Sequence, residues 1–420
     1  MVQQTPTVEF ITERGRLVAG RDQTVDVLIR LLPPAPDAGI GRRPCLNLSL
    51  VLDRSGSMGG DKIVRAREAT EYCIDQLLPT DRFSVVIFDD EIEVLIPSQL
   101  AENKSLLKSR LAGIRARNST ALHEAWVRGG MQVSEHLTES AINRVLLITD
   151  GQANVGETNI DRIVSQAKGL AERGVSTSTV GIGEDFNEDL LLPMAEAGRG
   201  NAWHVERAED MQRIFAVELE GLIAQVAHTV TLGLIPSDGI RLADVLNDFE
   251  LGETGRYKLP NLQAGSPLEV LVQLRVHAQK AGTRLRLLDL RLGYTPQEMK
   301  SAEVVKQTLE VEFDEESAVE ALPVNHEVAR ALQLLMNARA RREAVQHMDA
   351  GDYDLAAEVV GSSLRASQML FSAMPASEQA DQEISMLTDL SESISNPSES
   401  SRNRKRLSFQ DYFRRYSKRS

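Results

Sequence analysis

The most constraining stretch of this chain is Leu48-Ser49-Leu50-Val51-Leu52-Asp53-Arg54-Ser55-Gly56-Ser57-Met58-Gly59-Gly60. Its apolar run stops at Asp-x-Ser-x-Ser and gives way to glycines and then to helical spacing. It therefore reads as a buried parallel strand that delivers small oxygen-bearing side chains to its carboxyl end, where open α/β sheets bind their ligands. Asp53, Ser55 and Ser57, at alternate positions of one tight loop, can turn toward a common point, which suits a small divalent cation that prefers hard oxygen. Taken alone, the same pattern also serves as a strand-to-helix turn with an amino-terminal cap, because Ser and Asp favour both roles.

Two distant stretches add to that loop. Asn118-Ser119-Thr120-Ala121-Leu122 lies between helical patterns, and Val145-Leu146-Leu147-Ile148-Thr149-Asp150-Gly151 repeats the design of buried strand, terminal aspartate and glycine. The ordered set Asp53, Ser55, Ser57, Thr120 and Asp150 resembles the metal-ion-dependent adhesion site of the von Willebrand factor type A family, in its bacterial cytosolic form, over residues 44–227. That resemblance implies direct magnesium coordination by Ser55, Ser57 and Thr120, with Asp53 and Asp150 acting through water and hydrogen bonds. Mn2+ and Ca2+ are the alternative ions. It further implies a protein partner that completes the coordination with an exposed Asp or Glu, and, by analogy with bacterial relatives, an AAA+ ATPase as a candidate partner.

Competing chemistries fail on spacing. A nucleophile elbow needs Gly-x-Ser-x-Gly, but Ser55 stands two before Ser57. His123-Glu124-Ala125-Trp126-Val127 lacks the second histidine of a zinc protease, and Gly181-Ile182-Gly183-Glu184-Asp185-Phe186 lacks the third glycine of a dinucleotide loop. The reading is therefore a binding module, not an enzyme. The alternatives are a metal-assisted hydrolase with Asp53 or Asp150 as base, and a metal that only staples three loops. A net charge of -14 argues against general nucleic-acid affinity. Cys45 and Cys73, the only two cysteines, read as small buried thiols of a reducing compartment. With no signal-peptide pattern at Met1 to Thr7 and no run of about 18 apolar residues, the expected location is the cytoplasm.

Around the metal loop the chain changes character several times. Residues 1–43 hold two strand patterns, Val8 to Thr12 and Thr24 to Leu31, before Pro33, Pro34, Pro36 and Gly39-Ile40-Gly41 break the pattern. Two strands cannot stand alone. Residues 228–315 supply further alternating strands, so the expected fold is a doubly wound, mostly parallel α/β sheet over 44–227 inserted into an antiparallel β-sandwich. Residues 324–374 have the period of a helical hairpin. The acidic, serine-rich residues 375–400 are expected to be a disordered linker. In the basic aromatic tail, residues 401–420, Phe409, Tyr412, Phe413 and Tyr416 fall on one helical face, with Ser408 placed as a cap. Read functionally, that tail would contact an acidic protein, anionic lipid or RNA. Arg54 and Arg117, beside Ser55 and Thr120, either steer a partner's carboxylate or offset the charge of Asp53, Asp89, Asp90 and Asp150.

Overall fold

A computed structural model describes residues 5–34, 43–117, 120–152, 155–297, 299, 301–394, 396 and 399–416. Pro36 and Gly39 to Gly41 of the expected break, Asn118 and Ser119 of the expected metal loop, and Lys418 and Arg419 of the basic tail lie outside these residues. The chain divides into two compact units: Ala38–Ala224, and Met1–Asp37 together with Gln225–Ser420. In sequence, the first is inserted into the second.

The outer unit begins with β1 (Thr7–Thr12), β2 (Arg16–Val18) and β3 (Gln23–Leu32). The inserted unit follows as β4 (Leu46–Asp53), α1 (Asp61–Gln76), β5 (Arg82–Phe88), β6 (Ile92–Leu100), α2 (Lys104–Leu111), α3 (Leu122–Ser134), β7 (Ile142–Thr149), α4 (Ile160–Glu172), β8 (Ser176–Ile182), α5 (Glu188–Ala197), β9 (Arg199–Val205) and α6 (Met211–Ile223). Its strands form one sheet in the order β6-β5-β4-β7-β8-β9, parallel except for the antiparallel edge strand β6. All eight residues of β4 and all eight of β7 are buried, which is why both read as apolar runs without alternation. Helix α3 lies tight against β4: a Cβ at Gly129 would fall 2.3 Å from Val51 Cγ2, so glycine is what permits the approach.

The outer unit resumes with β10 (Gln225–Pro236), β11 (Ile240–Val245), β12 (Tyr257–Lys258), β13 (Leu262–Gln263), β14 (Leu268–Val276), β15 (Arg284–Pro296) and β16 (Glu303–Asp314), then α7 (Glu316–Glu320), α8 (His326–Asp349), α9 (Tyr353–Ser372), α10 (Glu378–Ser393) and α11 (Ser400–Arg415). One sheet runs β1-β3-β14-β11 and the other β12-β10-β15-β16-β2, with β13 also on β10. Their facing side chains share one core: Val27, Ile29, Leu31, Val270, Val272 and Leu274 meet Leu232, Leu288, Leu290, Leu292, Val311 and Phe313. Strand β3 pairs with β14 from Gln23–Val276 to Leu31–Leu268, so the amino-terminal strands complete the sandwich across the insertion. On the outer face of that sheet, Leu28 and Leu271 pack with Val328 and Leu335 of α8. Burial on both faces explains why β3 alternates only roughly.

The carboxyl-terminal quarter departs from expectation in two places. The segment read as a disordered linker contains α10, whose Leu387 and Leu390, with Ile394 just beyond, share a core with Ala344, Met348, Val360 and Leu407. Acidic and serine residues masked its helical spacing. The segment read as a free basic tail contains α11, which packs on α8 and buries Leu407, Phe409 and Tyr412. Its charges meet acids of the same chain: Arg404 with Asp349 at 2.7 Å, Arg414 with Glu383 at 3.2 Å and Arg415 with Asp411 at 3.1 Å. Ser408 is not a cap, since the helix starts earlier and its hydroxyl donates to the Arg404 carbonyl at 2.9 Å. Glu383, 1% exposed, also binds the equally buried Arg341 at 2.7 Å, and these cations hold its carboxyl below the usual range despite the opposing effect of burial.

Two outcomes follow from this packing. A chain lacking residues 1–32 leaves β14 without its β3 partner, and calorimetry should show loss of the sandwich transition with that of residues 38–224 retained. Leu387→Ala should cost about 2–5 kcal/mol of stability of the outer unit by denaturant titration, as a buried leucine does and a linker residue does not.

Candidate functional site

The chain leaves β4 toward β5 on one side and later returns through β7 on the other, so the crevice between the carboxyl ends of β4 and β7 is the sheet's topological switch point. Asp53 is the last residue of β4, and Asp150 follows β7 directly; both are fully buried. Asp53 Oδ1 accepts the Ser55 amide at 2.7 Å and Oδ2 accepts the Thr149 hydroxyl at 2.5 Å. Asp150 Oδ1 accepts the Ser57 hydroxyl at 2.7 Å, and Oδ2 receives the Lys62 ammonium at 2.5 Å. The hydroxyls of Ser55 and Ser57 stand 3.1 Å apart.

Thr120 comes from a third segment. Its neighbours fix it: the Arg117 amide donates to the Arg54 carbonyl at 2.7 Å and the Ala121 amide to the Asp89 carbonyl at 2.8 Å, after which α3 begins. A methyl group on Gly151 would lie 3.3 Å from Thr120 Oγ1 and 3.6 Å from Asp53 Oδ2, so the glycine after Asp150 leaves room for these oxygens to converge. All five residues singled out in the sequence thus meet in one crevice. Burial pushes the Asp53 carboxyl up to about 6, the nearby Asp150 adds to this, and the hydrogen bonds from Thr149 and Ser55 oppose it.

The two arginines do different work from a rim. Arg54 is 7% exposed, with its Nε on Asp89 at 3.1 Å and its Nη1 on Glu93 at 3.1 Å. Arg117 is half-exposed and binds Asp89 at 2.6 Å and Glu91 at 3.0 Å. Burial raises the Asp89 carboxyl, but the Glu91 amide and both guanidinium groups more than offset this and hold it low. Arg54 therefore offsets local charge and locks the loops, and its burial removes it from any steering role. Sequence reasoning named Asp89 only as one of the charges the arginines offset, not as the residue that locks the loops, and missed Thr149 and Lys62 as parts of the site. Asp89 carried a readable signal, since it ends the buried run of β5 as Asp53 ends β4; the other two were legible only from contacts across elements.

The donor set consists of hydroxyl and carboxylate oxygens, the chemistry of hard cations such as Mg2+, Mn2+ and Ca2+. Among the described residues no group of three His, Cys, Asp or Glu could hold a metal, so a cation here would need the hydroxyls as well as the carboxylates. Two adjacent buried carboxylates also call for positive charge, which Lys62 supplies to one of them. The residues present fit such an ion. For the supporting network, Asp89→Ala leaves Arg54 buried without its main partner, and thermal or chemical unfolding should show a loss of about 3–5 kcal/mol.

Comparison with known proteins places this geometry. Residues 47–217 match the model of the von Willebrand factor type A domain. The uncharacterized protein sll0103 of Synechocystis sp. is 29% identical over 174 residues, 41% of this chain and 41% of that protein. The human inter-alpha-trypsin inhibitor heavy chain H4 is 30% identical over 190 residues, 43% of this chain and 20% of that protein. The matched region thus spans less than half the length of these relatives. Two solved structures share the architecture over nearly the whole chain: a von Willebrand factor type A protein from Catenulispora acidiphila, with TM-score 0.70, 20% identity and coverage of 93% of this chain and 91% of that one, and the ArnB paralog VWA2 from Sulfolobus acidocaldarius, with TM-score 0.60, 16% identity and 98% of both chains. At those identities they show the fold alone. The family match and the shared fold lead to one conclusion: residues 47–217 of this chain form a von Willebrand factor type A domain.

Proposed function

We propose that Asp53, Ser55, Ser57, Thr120 and Asp150 form a metal-ion-dependent adhesion site that binds magnesium and, through it, an exposed Asp or Glu of a protein partner. The observation that carries this reading is the convergence of five oxygen-bearing side chains from three separate segments at one switch-point crevice. Ser55, Ser57 and Thr120 would hold the ion directly. Asp53 and Asp150 already organise the serine loop, one through the Ser55 amide and the other through the Ser57 hydroxyl, and would balance the ion's charge. When bound, magnesium supplies an exchangeable position for a further hard oxygen ligand. Mn2+ and Ca2+ are competing occupants of the same donor set.

On this reading the protein is a binding or scaffold module, not an enzyme, and works in the cytoplasm, where Cys73, which is buried, and Cys45, which is exposed just ahead of β4 and not buried as expected, remain the free thiols they are here. An AAA+ ATPase is one candidate partner, by analogy alone. In calorimetric titration with magnesium, wild type should bind, whereas Asp53→Ala and Ser55→Ala should lose binding and keep the secondary structure of the folded unit by circular dichroism. Unchanged affinity in both variants would remove these residues from the site.

A further inference from the structure

Asp150 is paired with a cation of its own chain before any metal arrives. Lys62, in the first turn of α1, reaches Asp150 Oδ2 at 2.5 Å, with its side chain 27% exposed and the carboxylate at 0%. A second segment lies beside it. Gly183, just after β8, has φ +75°, and a Cβ there would lie 3.5 Å from Lys62 Nζ and 3.6 Å from its Cε. The turn after β8 thus runs beside the outer end of the lysine side chain, at ordinary contact distance.

We propose that Lys62 is the internal counter-ion of this site: its ammonium holds Asp150 in the metal-free protein and competes with the divalent ion, so that Lys62 sets the metal affinity. The inference deepens the metal-binding reading above and rests on it. Charge counting gives the direction. Asp53 and Asp150, if both ionised, carry two negative charges, and Lys62 offsets one of them. A divalent ion entering beside Lys62 leaves one positive charge in excess, whereas without the lysine the same ion brings the group to neutrality. Removing Lys62 therefore favours the metal-bound form and disfavours the metal-free form, in which the buried Asp150 loses its counter-ion.

The test titrates magnesium into wild type, Lys62→Gln and Lys62→Arg at fixed ionic strength, with Asp53→Ala as the site control. Lys62→Gln should bind magnesium roughly tenfold more tightly than wild type. Lys62→Arg, which keeps the charge, should stay within about twofold of wild type on the same electrostatic argument. Without metal, Lys62→Gln should melt below wild type, and saturating magnesium should close that gap. Equal or weaker affinity in Lys62→Gln, with Asp53→Ala still unable to bind, overturns the counter-ion role and leaves the metal site standing. Failure of wild type itself to bind overturns both.

Discussion

Two carboxylates, Asp53 and Asp150, lie wholly buried at the carboxyl ends of neighbouring parallel strands, and the inserted unit is arranged around the cost of keeping them there. Removing carboxylates from water is unfavourable unless hydrogen bonds or positive charge replace the solvent. Asp53 is surrounded by donors, the Ser55 amide and the Thr149 hydroxyl, yet its carboxyl is still pushed up to about 6. Asp150 relies on Ser57 and Lys62. Because these donors come from the loop after β4, the end of β7 and the start of α1, the carboxylates tie together segments that would otherwise be independent loops.

Asp89 repeats this logic one strand away with the opposite result. It too is buried at the end of a parallel strand, but two arginines and a backbone amide hold it ionised and low. It acts as a staple that fixes the segment carrying Thr120, whereas the Asp53 and Asp150 pair combines two negative groups with hydroxyls able to accept a cation. The contrast separates a carboxylate neutralised by arginines from a pair flanked by hydroxyls at the same end of the sheet.

Much of this was legible in the sequence. The apolar runs ending in Asp53 and Asp150 determine both the parallel strands and the place where their side chains meet, because a strand buried on both faces has no room for polar residues until it reaches the crevice. The pairing of β3 with β14 was accessible from the need of two orphan strands for a sheet. Less legible were the last helices. In α10 the apolar positions are sparse among acidic and serine residues, and beside its leucines it buries Glu383, whose partners Arg341 and Arg414 come from two other helices. A buried ion pair of that kind has no sequence signature. The same holds for Arg54, where burial depends on which way the guanidinium turns, and for Lys62, which lies in a helix and meets Asp150 only through the fold.

The central claim is that the crevice between β4 and β7 is a cation site built from three segments. The most direct measurement is anomalous diffraction from crystals of the full chain grown with Mn2+, a heavier, anomalously scattering stand-in for magnesium on oxygen ligands. An anomalous peak is expected within coordination distance of Ser55 Oγ, Ser57 Oγ and Thr120 Oγ1. A crystal that shows no peak there, or shows Mn2+ bound only by other residues, would contradict the claim.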